Sequence, residues 1–377
     1  KLCRAMRRAL LATIIPVLAG CLDFSVSPGT LRCDTALERP CPNDWLCLLE
    51  ASADLYGRCY PPGAPPDDDG RLVGRRLAPA VTVPGRRFFV DQTSGSPDYP
   101  GTEDDPWRTL SEFVASGKIE LSAADGTLAA AGVVHAGDAL VLGEGDHGRV
   151  DLSAHFNPQM IYVLAAEGAR PRLSGLSIRS GRNWWIQGLT IQASGCGTSE
   201  GLVSVGESEA GASLVTLVGN TLRSAEDVSG WTVDDWRASA CTGVRLTNAR
   251  DIRAAFNELR NVRDGFRVHG SRVTLERNLV DGFCGRAVPI GGAGTRGVKI
   301  LANLVTNAYN LNESQALIHG SNCDGCGDFE IRGNRLLAHR DPQVPATFRK
   351  PIQGIGLFDG PFDKIVIVNN LVIGQHW

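Results

Sequence analysis

The feature that most limits what this chain can become is a repeat. Between Gly243 and Val305 the sequence reads GVRLTNARDIRAAFNELRNV, then GFRVHGSRVTLERNLVDGF, then AVPIGGAGTRGVKILANLV. Each line holds two short apolar strands, the second ending in an asparagine followed by another apolar pair. Asn257, Asn278 and Asn303 are those asparagines. The pattern returns upstream at Asn220 and downstream at Asn334 and Asn370, and an earlier member, NWWIQGLTI, puts Gly188 in the asparagine seat. Repetition every ~20–25 residues, swollen by insertions, is the mark of a solenoid. Val, Ile and Leu at every second position make the repeating unit a strand and not a helix. Each repeat is then one coil, stacked on the next by parallel hydrogen bonding at ~4.8 Å. Asparagine suits the bend between strands because its amide tolerates left-handed backbone and bonds locally. Stacked amides can also bond to one another along the axis. The competing reading is an antiparallel sandwich, but Asn-Gly or Asp-Gly hairpin signals do not recur between the strand pairs.

Composition excludes some partners. Net charge is −3 over 377 residues, which gives no reason to expect nucleic acid or an anionic membrane surface. Eleven cysteines point to an oxidising compartment. The start agrees: from Met6, the expected true beginning, MRRALLATIIPVLAGC has two arginines, an apolar run and Leu-Ala-Gly-Cys ending at Cys21. This resembles a bacterial lipoprotein signal, which implies lipidation of Cys21 and a place in the cell envelope. An ordinary cleaved leader and a secreted product is the alternative. The run is too short to span a bilayer as a mature helix.

Residues 22–60 carry Cys33, Cys41, Cys47 and Cys59 with few apolar residues between them, the pattern of a small disulfide module. Zinc competes, but the stretch has no C-x-x-C pair. Residues 61–86, rich in Pro and Asp, read as a linker. The main domain is expected over 87–377. Phe88 to Val90 form its first strand, Asp105 and Pro106 cap and open a helix, and Leu110, Phe113 and Val114 share that helix's apolar face. Such a helix would plug the open end of a solenoid. The chain stops shortly after Asn370 with no closing element in view, so further coils are expected beyond Trp377.

The FVD strand, SGSPDYPGTEDDPWRTL and AGDALVLGEGDHG, with the asparagine repeat, resemble right-handed parallel β-helix proteins of the pectate-lyase-like superfamily. The resemblance runs from Phe88 to the C-terminus. It implies an all-β, single-stranded right-handed parallel β-helix with an N-terminal capping helix. It also implies polysaccharide as partner, either as substrate of a lyase or epimerase or as ligand of a non-catalytic adhesin, with a structural protein of the envelope as a further alternative. Calcium commonly accompanies such lyases; the residues themselves call for no cofactor. A monomer is expected.

In the first strand of each coil, Leu246, Val268, Ile290, Ile318 and Phe358 are expected to point inward. Beside them stand Arg245, Arg267, Pro289, Leu317 and Leu357 on one side, and Thr247, His269, Gly291, His319 and Asp359 on the other. His269 and His319 would then be two rungs apart, ~10 Å. Breaking a uronate chain by β-elimination needs a base for the C5 proton and a cation to steady the carboxylate. His269 or His319 is the candidate base, with Asp359 nearby, and Arg267 or Arg245 the cation. Lys350 is a further substrate-binding candidate. The Asp-Pro-His motif of mannuronan epimerases is absent, as HRDP around Asp341 has another order, and the paired aspartates of pectin hydrolases are not recognisable. Trp231 and Trp236 sit in an insertion and either stack on sugar rings or cover the coil beneath; Asp234 and Asp235 beside them are acid or metal candidates. Cys196 and Cys241 bracket that insertion and are candidates to staple it. Cys323 and Cys326 close a tight loop, and Cys284 is left as a buried residue.

Overall fold

A computed structural model describes the backbone at residues 32–33, 46–48 and 57–60, and the chain at 80–196, 200–311, 316–338, 344–349 and 352–373. The described residues fall into two units. In the first, Arg32–Cys33, Leu46–Leu48 and Gly57–Tyr60 form a three-stranded antiparallel sheet, with Cys47 opposite Cys59. The expected pairing of Cys33, Cys41, Cys47 and Cys59, the lipidation of Cys21 and the role of Lys350 lie outside the described residues.

The second unit is a stack of parallel coils. Each full coil runs along three faces. The first face includes Gly201–Val205, the opening half of Thr242–Ala255, the opening half of Phe266–Glu276, Val288–Gly291, Ala316–Ser321 and Gln353–Leu357. The second includes Gly181–Gln187, Ala212–Val218, Lys299–Leu301, Cys326–Arg332 and Phe362–Val368. The third is an eight-stranded parallel sheet from Arg172–Leu173 to Leu371–Ile373. Every neighbour on these faces belongs to the next coil. Parallel strands joined this way wind right-handed, because a twisted strand packs back onto its sheet with only that hand.

Alternation of side chains fills the interior. Leu246 pairs with Val268 and Val268 with Ile290 on the first face. Ala254, Leu275, Ile300 and Ile331 line up on the second, and Leu259, Val280, Val305 and Leu336 on the third. All are buried. Each such aliphatic side chain removed from water contributes ~1.5–3 kcal/mol, so the columns, continued from coil to coil, supply the force that holds the stack.

Between the second and third faces runs the amide ladder. Asn220, Asn257, Asn278, Asn303, Asn334 and Asn370 stand one above another. The backbone N–H and the Nδ2 of Asn257 both donate to Oδ1 of Asn278, at 2.9 and 3.0 Å. Asn278 treats Asn303 the same way, and the bonds continue through Asn334 to Asn370. The second Nδ2 hydrogen reaches a carbonyl of the preceding coil, as from Asn278 to Ala254 at 2.9 Å. No donor on a buried ladder amide goes unused.

Two details depart from expectation. The left-handed residue is the one before each asparagine: Phe256, Arg277, Ala302 and Asn369 have φ of 56°, 52°, 53° and 54°, while Gly219 and Gly333 fill the same seat elsewhere. The asparagine side chain pairs the coils and its neighbour makes the turn. In the earlier coil Thr190 pairs with Thr221, which puts Leu189, not Gly188, level with Asn220. Leu189 N–H donates to Asn220 Oδ1 at 3.0 Å, closing the ladder with an apolar residue. A second bend, between the first and second faces, carries its own left-handed column at Asn183, Leu214, Asp251, Arg272, Asp328 and Lys364.

The N-terminal end is plugged by α1, Leu110–Ala115. It starts four residues later than Asp105–Pro106 predicts. Trp107 is held in extended backbone, bridging Val90 and donating its N–H to Phe89 O, so Thr109 becomes the cap and accepts from Glu112 N–H. Leu110 and Phe113 are buried as expected. The Trp107 ring stacks on Phe113 at 4.1 Å and on Phe88 at 5.2 Å.

Candidate functional site

The outward residues of the first face form the site. Arg245 pairs with Arg267 and Thr247 with His269, as the repeat predicts. Beyond Ile290 the register differs from expectation by two residues. Pro289 pairs with His319, Ile290 with Gly320 and Gly291 with Ser321. His319 therefore continues the row of Arg245, Arg267 and Pro289 and leaves the His269 row. The long excursion between Gly291 and Ala316 conceals this shift. Gly320, not Ile318, sits opposite Ile290, and Leu357, not Phe358, sits opposite Gly320. Phe358 is 37% exposed, its ring 5.1 Å from the His319 ring. A Cβ on Gly356 would stand 2.2 Å from that phenyl ring, so only glycine leaves the ring its place. Asp359 lies at the bend after the strand, with φ of 53°, outside both rows.

Two residues that the repeat did not flag complete the cluster. Asp264 and Arg286 each stand two positions ahead of a first-face strand. Asp264 is 3% exposed; its Oδ2 accepts from Arg267 Nη2 at 2.6 Å and its Oδ1 from the Arg286 backbone N–H at 2.9 Å. Aligning the residues that precede each strand, and not only the strands, would have found this rung. Arg245 faces Glu207 at 3.2 Å.

Burial holds the His319 imidazole below its ordinary pKa of 6.5; the Arg286 charge adds to this, and Asp359 and Asp264 act against it. His269 is lowered by burial and then by Arg267 and Arg245. Both histidines are thus favoured as neutral bases. His319 is 8% exposed, and its Nδ1, with Nε of Arg267 and Nε of Arg286, is buried without a hydrogen-bond partner. Three such groups on successive coils carry a desolvation cost that a bound partner would relieve.

His269 faces a cleft of about 280 Å³ at the bend between the first and second faces, lined by Asn248, Arg250, Ser271, Gly294 and Thr295 among others. The insertion that carries the tryptophans turns Trp236 inward and leaves its polar residues in solvent. It folds as α2, Val233–Ser239, capped by Thr232, whose side chain and Asp235 bond reciprocally. Asp234 pairs with Arg237 at 3.3 Å. Both aspartates thus serve the helix. Trp236 is fully buried against Tyr309 at 4.4 Å and Trp231 at 5.0 Å, in a small second core with Phe348 and Cys284. It covers the coil and offers no open face to a sugar; Trp231 is half-buried beside it. Cys196–Cys241 and Cys323–Cys326 are disulfides. Cys284 is buried, its thiol pushed up to about 12 by burial. Among the described residues no three His, Cys, Asp or Glu side chains stand where they could hold a metal ion.

The coils, their amide ladder and the helical plug decide the architecture. The fold is a right-handed parallel β-helix. No family model matches the sequence, and no curated protein matches it. Solved structures do. A rhamnogalacturonan lyase is similar at 14% identity and a TM-score of 0.40, with 74% of this chain and 67% of that one covered. A pectate lyase is similar at 12% and 0.36, covering 74% and 78%. A lacto-N-biosidase from Eubacterium ramulus is similar at 11% and 0.33, covering 75% and 68%. These likenesses concern fold; the chemistry of the β-helix has to be argued from its own side chains.

Proposed function

We propose that this β-helix engages an acidic polysaccharide across its first face and cleaves or epimerises it at a uronate unit. The observation that carries the reading is the set of buried, unpartnered nitrogens on Arg267, Arg286 and His319, beside a carboxylate that orients Arg267. The arginines receive the uronate carboxylate and take up the charge that develops on it when the adjacent C–H bond breaks. His319, neutral at physiological pH, takes the C5 proton. In a lyase the electron pair then forms the C4–C5 double bond and expels the glycosidic oxygen, which takes up a proton; in an epimerase a solvent-derived proton is delivered to C5 from the opposite face. His269 and Arg245 extend the surface toward the next sugar. A lipid at Cys21 would tether the domain to the envelope.

Supplying alginate, pectate or a glycosaminoglycan should give rising ultraviolet absorbance from unsaturated uronate, or deuterium uptake at C5 if the enzyme epimerises. His319→Ala should lower the rate by about 10²–10⁴-fold, the usual share of a general base, with substrate binding retained. Binding without either product identifies a non-catalytic carbohydrate-binding module, and no binding to any uronate polymer overturns the reading.

A further inference from the structure

The wall of the His269 cleft leans on the next coil. Gly294 and Thr295 line it, and the segment from Gly292 to Gly297 hangs on its neighbour in the next coil. Gly292 N–H donates to Asn322 O at 3.2 Å, Gly294 N–H to Asp324 O at 2.8 Å and Gly297 N–H to Gly327 O at 3.0 Å. Gly327 N–H returns to Thr295 O at 3.2 Å, and Arg296 Nη1 reaches Gly325 O at 3.1 Å. Thr295 bonds back to Gly292 O and Gly291 O, and Arg296 also reaches Asp328 and Asp363. The acceptors for Gly292, Gly294 and Gly297, however, all lie within or just beside the four-residue loop closed by Cys323 and Cys326. The same loop holds the other histidine's surroundings. Cys323 N–H donates to Asp359 O at 3.4 Å, and Asp359 is one of the charges acting on His319. Gly360 lies so close that a Cβ there would stand 2.2 Å from Cys323 O.

We propose that the Cys323–Cys326 disulfide is a redox-sensitive fastener that fixes the cleft wall beside His269. Cys323 and Cys326 are buried, so a small dithiol reaches the bond past the exposed Asp324 and Gly325 between them as that turn opens. It breaks the bond by thiolate attack through a mixed disulfide. Two electrons and two protons pass to Cys323 and Cys326, which become thiols, while the reductant's two sulfurs end as a disulfide. The freed loop regains the backbone freedom that the short ring denied it, and Gly292 to Gly297 lose their ordered acceptors. The cleft then widens without unstacking the coils, because the amide ladder lies on another corner of each coil.

Hydrogen exchange tests this without any substrate, so its outcome is separate from that of the proposed function. In Cys323→Ser/Cys326→Ser, amide exchange at Gly292, Gly294 and Gly297 should quicken about tenfold or more, the range of a local opening. The ladder amides of Asn257, Asn278 and Asn303 should stay protected. Carbethoxylation of His269 should quicken alongside. Cys196→Ser/Cys241→Ser should leave all of these unchanged, and adding dithiothreitol to that variant should reproduce the effect. Unchanged exchange at the three glycines after reduction overturns the proposal. So does loss of ladder protection along with them, which would make the disulfide a staple of the whole coil. If the double-serine variant does not fold, the dithiothreitol experiment alone decides.

Discussion

A single amide in the ladder answers to several partners at once. Removing the Asn278 side chain orphans the N–H and Nδ2 of Asn257 and the carbonyl of Ala254. Each buried orphan costs ~1–3 kcal/mol, so Asn278→Ala should lower unfolding stability by roughly 3 kcal/mol or more in urea denaturation. Asn370→Ala should cost clearly less, since Asn370 is only half-buried and the groups it leaves unpaired can reach water. The seat before each amide predicts the opposite sign. Ala302 holds φ of 53°, a conformation costing a non-glycine residue ~1–2 kcal/mol. Ala302→Gly should therefore stabilise by about 0.5–1 kcal/mol, after the ~0.5–1 kcal/mol that glycine's entropy takes back. The asparagines could be read from the sequence because they recur as one letter. Their left-handed neighbours could not, because Phe, Arg, Ala, Asn and Gly all fill that seat, and the requirement falls on backbone and not on side-chain type. His319 was legible as a candidate but not in its row, since nothing in the excursion before Ala316 marks a two-residue slip.

At the scale of elements, α1 shows where propensity yields to pairing. Asp105–Pro106 is a sound helix opening by composition, yet Trp107 gains a strand bridge and two stacking partners by staying extended. The helix waits for the next residue able to cap it, Thr109. Its apolar face was legible, because Leu110 and Phe113 must be buried wherever the helix begins. Phe113→Ala should cost ~3–5 kcal/mol, the range for truncating a buried aromatic. Hydrogen exchange should show the loss confined to the strands packed on the plug, Arg87–Val90 and Arg149–Asp151, because a solenoid passes disturbance mainly to adjacent coils. The tryptophan insertion was legible only as a pair of alternatives. Burial of Trp236 against Tyr309 and Phe348 depends on two other insertions, which no local pattern could bring together.

For the molecule as a whole, acid is the informative variable. His147, His155, His269 and His319 are all held below the ordinary pKa of 6.5, burial being the first cause in each. The folded state thus binds these protons less readily than the unfolded chain does. The stability that neutrality confers is complete above about pH 6.5 and is lost as pH falls through the folded values. Urea midpoints should hold steady from neutral to mildly alkaline pH and drop on the acid side. Any activity based on His319 should persist somewhat below pH 6.5, and Arg286→Gln should move the His319 titration, followed by NMR, upward.

The ladder also makes the chain divisible. Asn257 and Asn278 occupy equivalent seats 21 residues apart, and Asn278 and Asn303 seats 25 apart. Excising the stretch from one seat to the next rejoins equivalent points, so every strand above meets a matching strand below. The product would be a shorter rod with its apolar columns unbroken. Excising a few residues fewer would set each remaining strand against the wrong partner, and length would matter less than whether the cut closes a full turn.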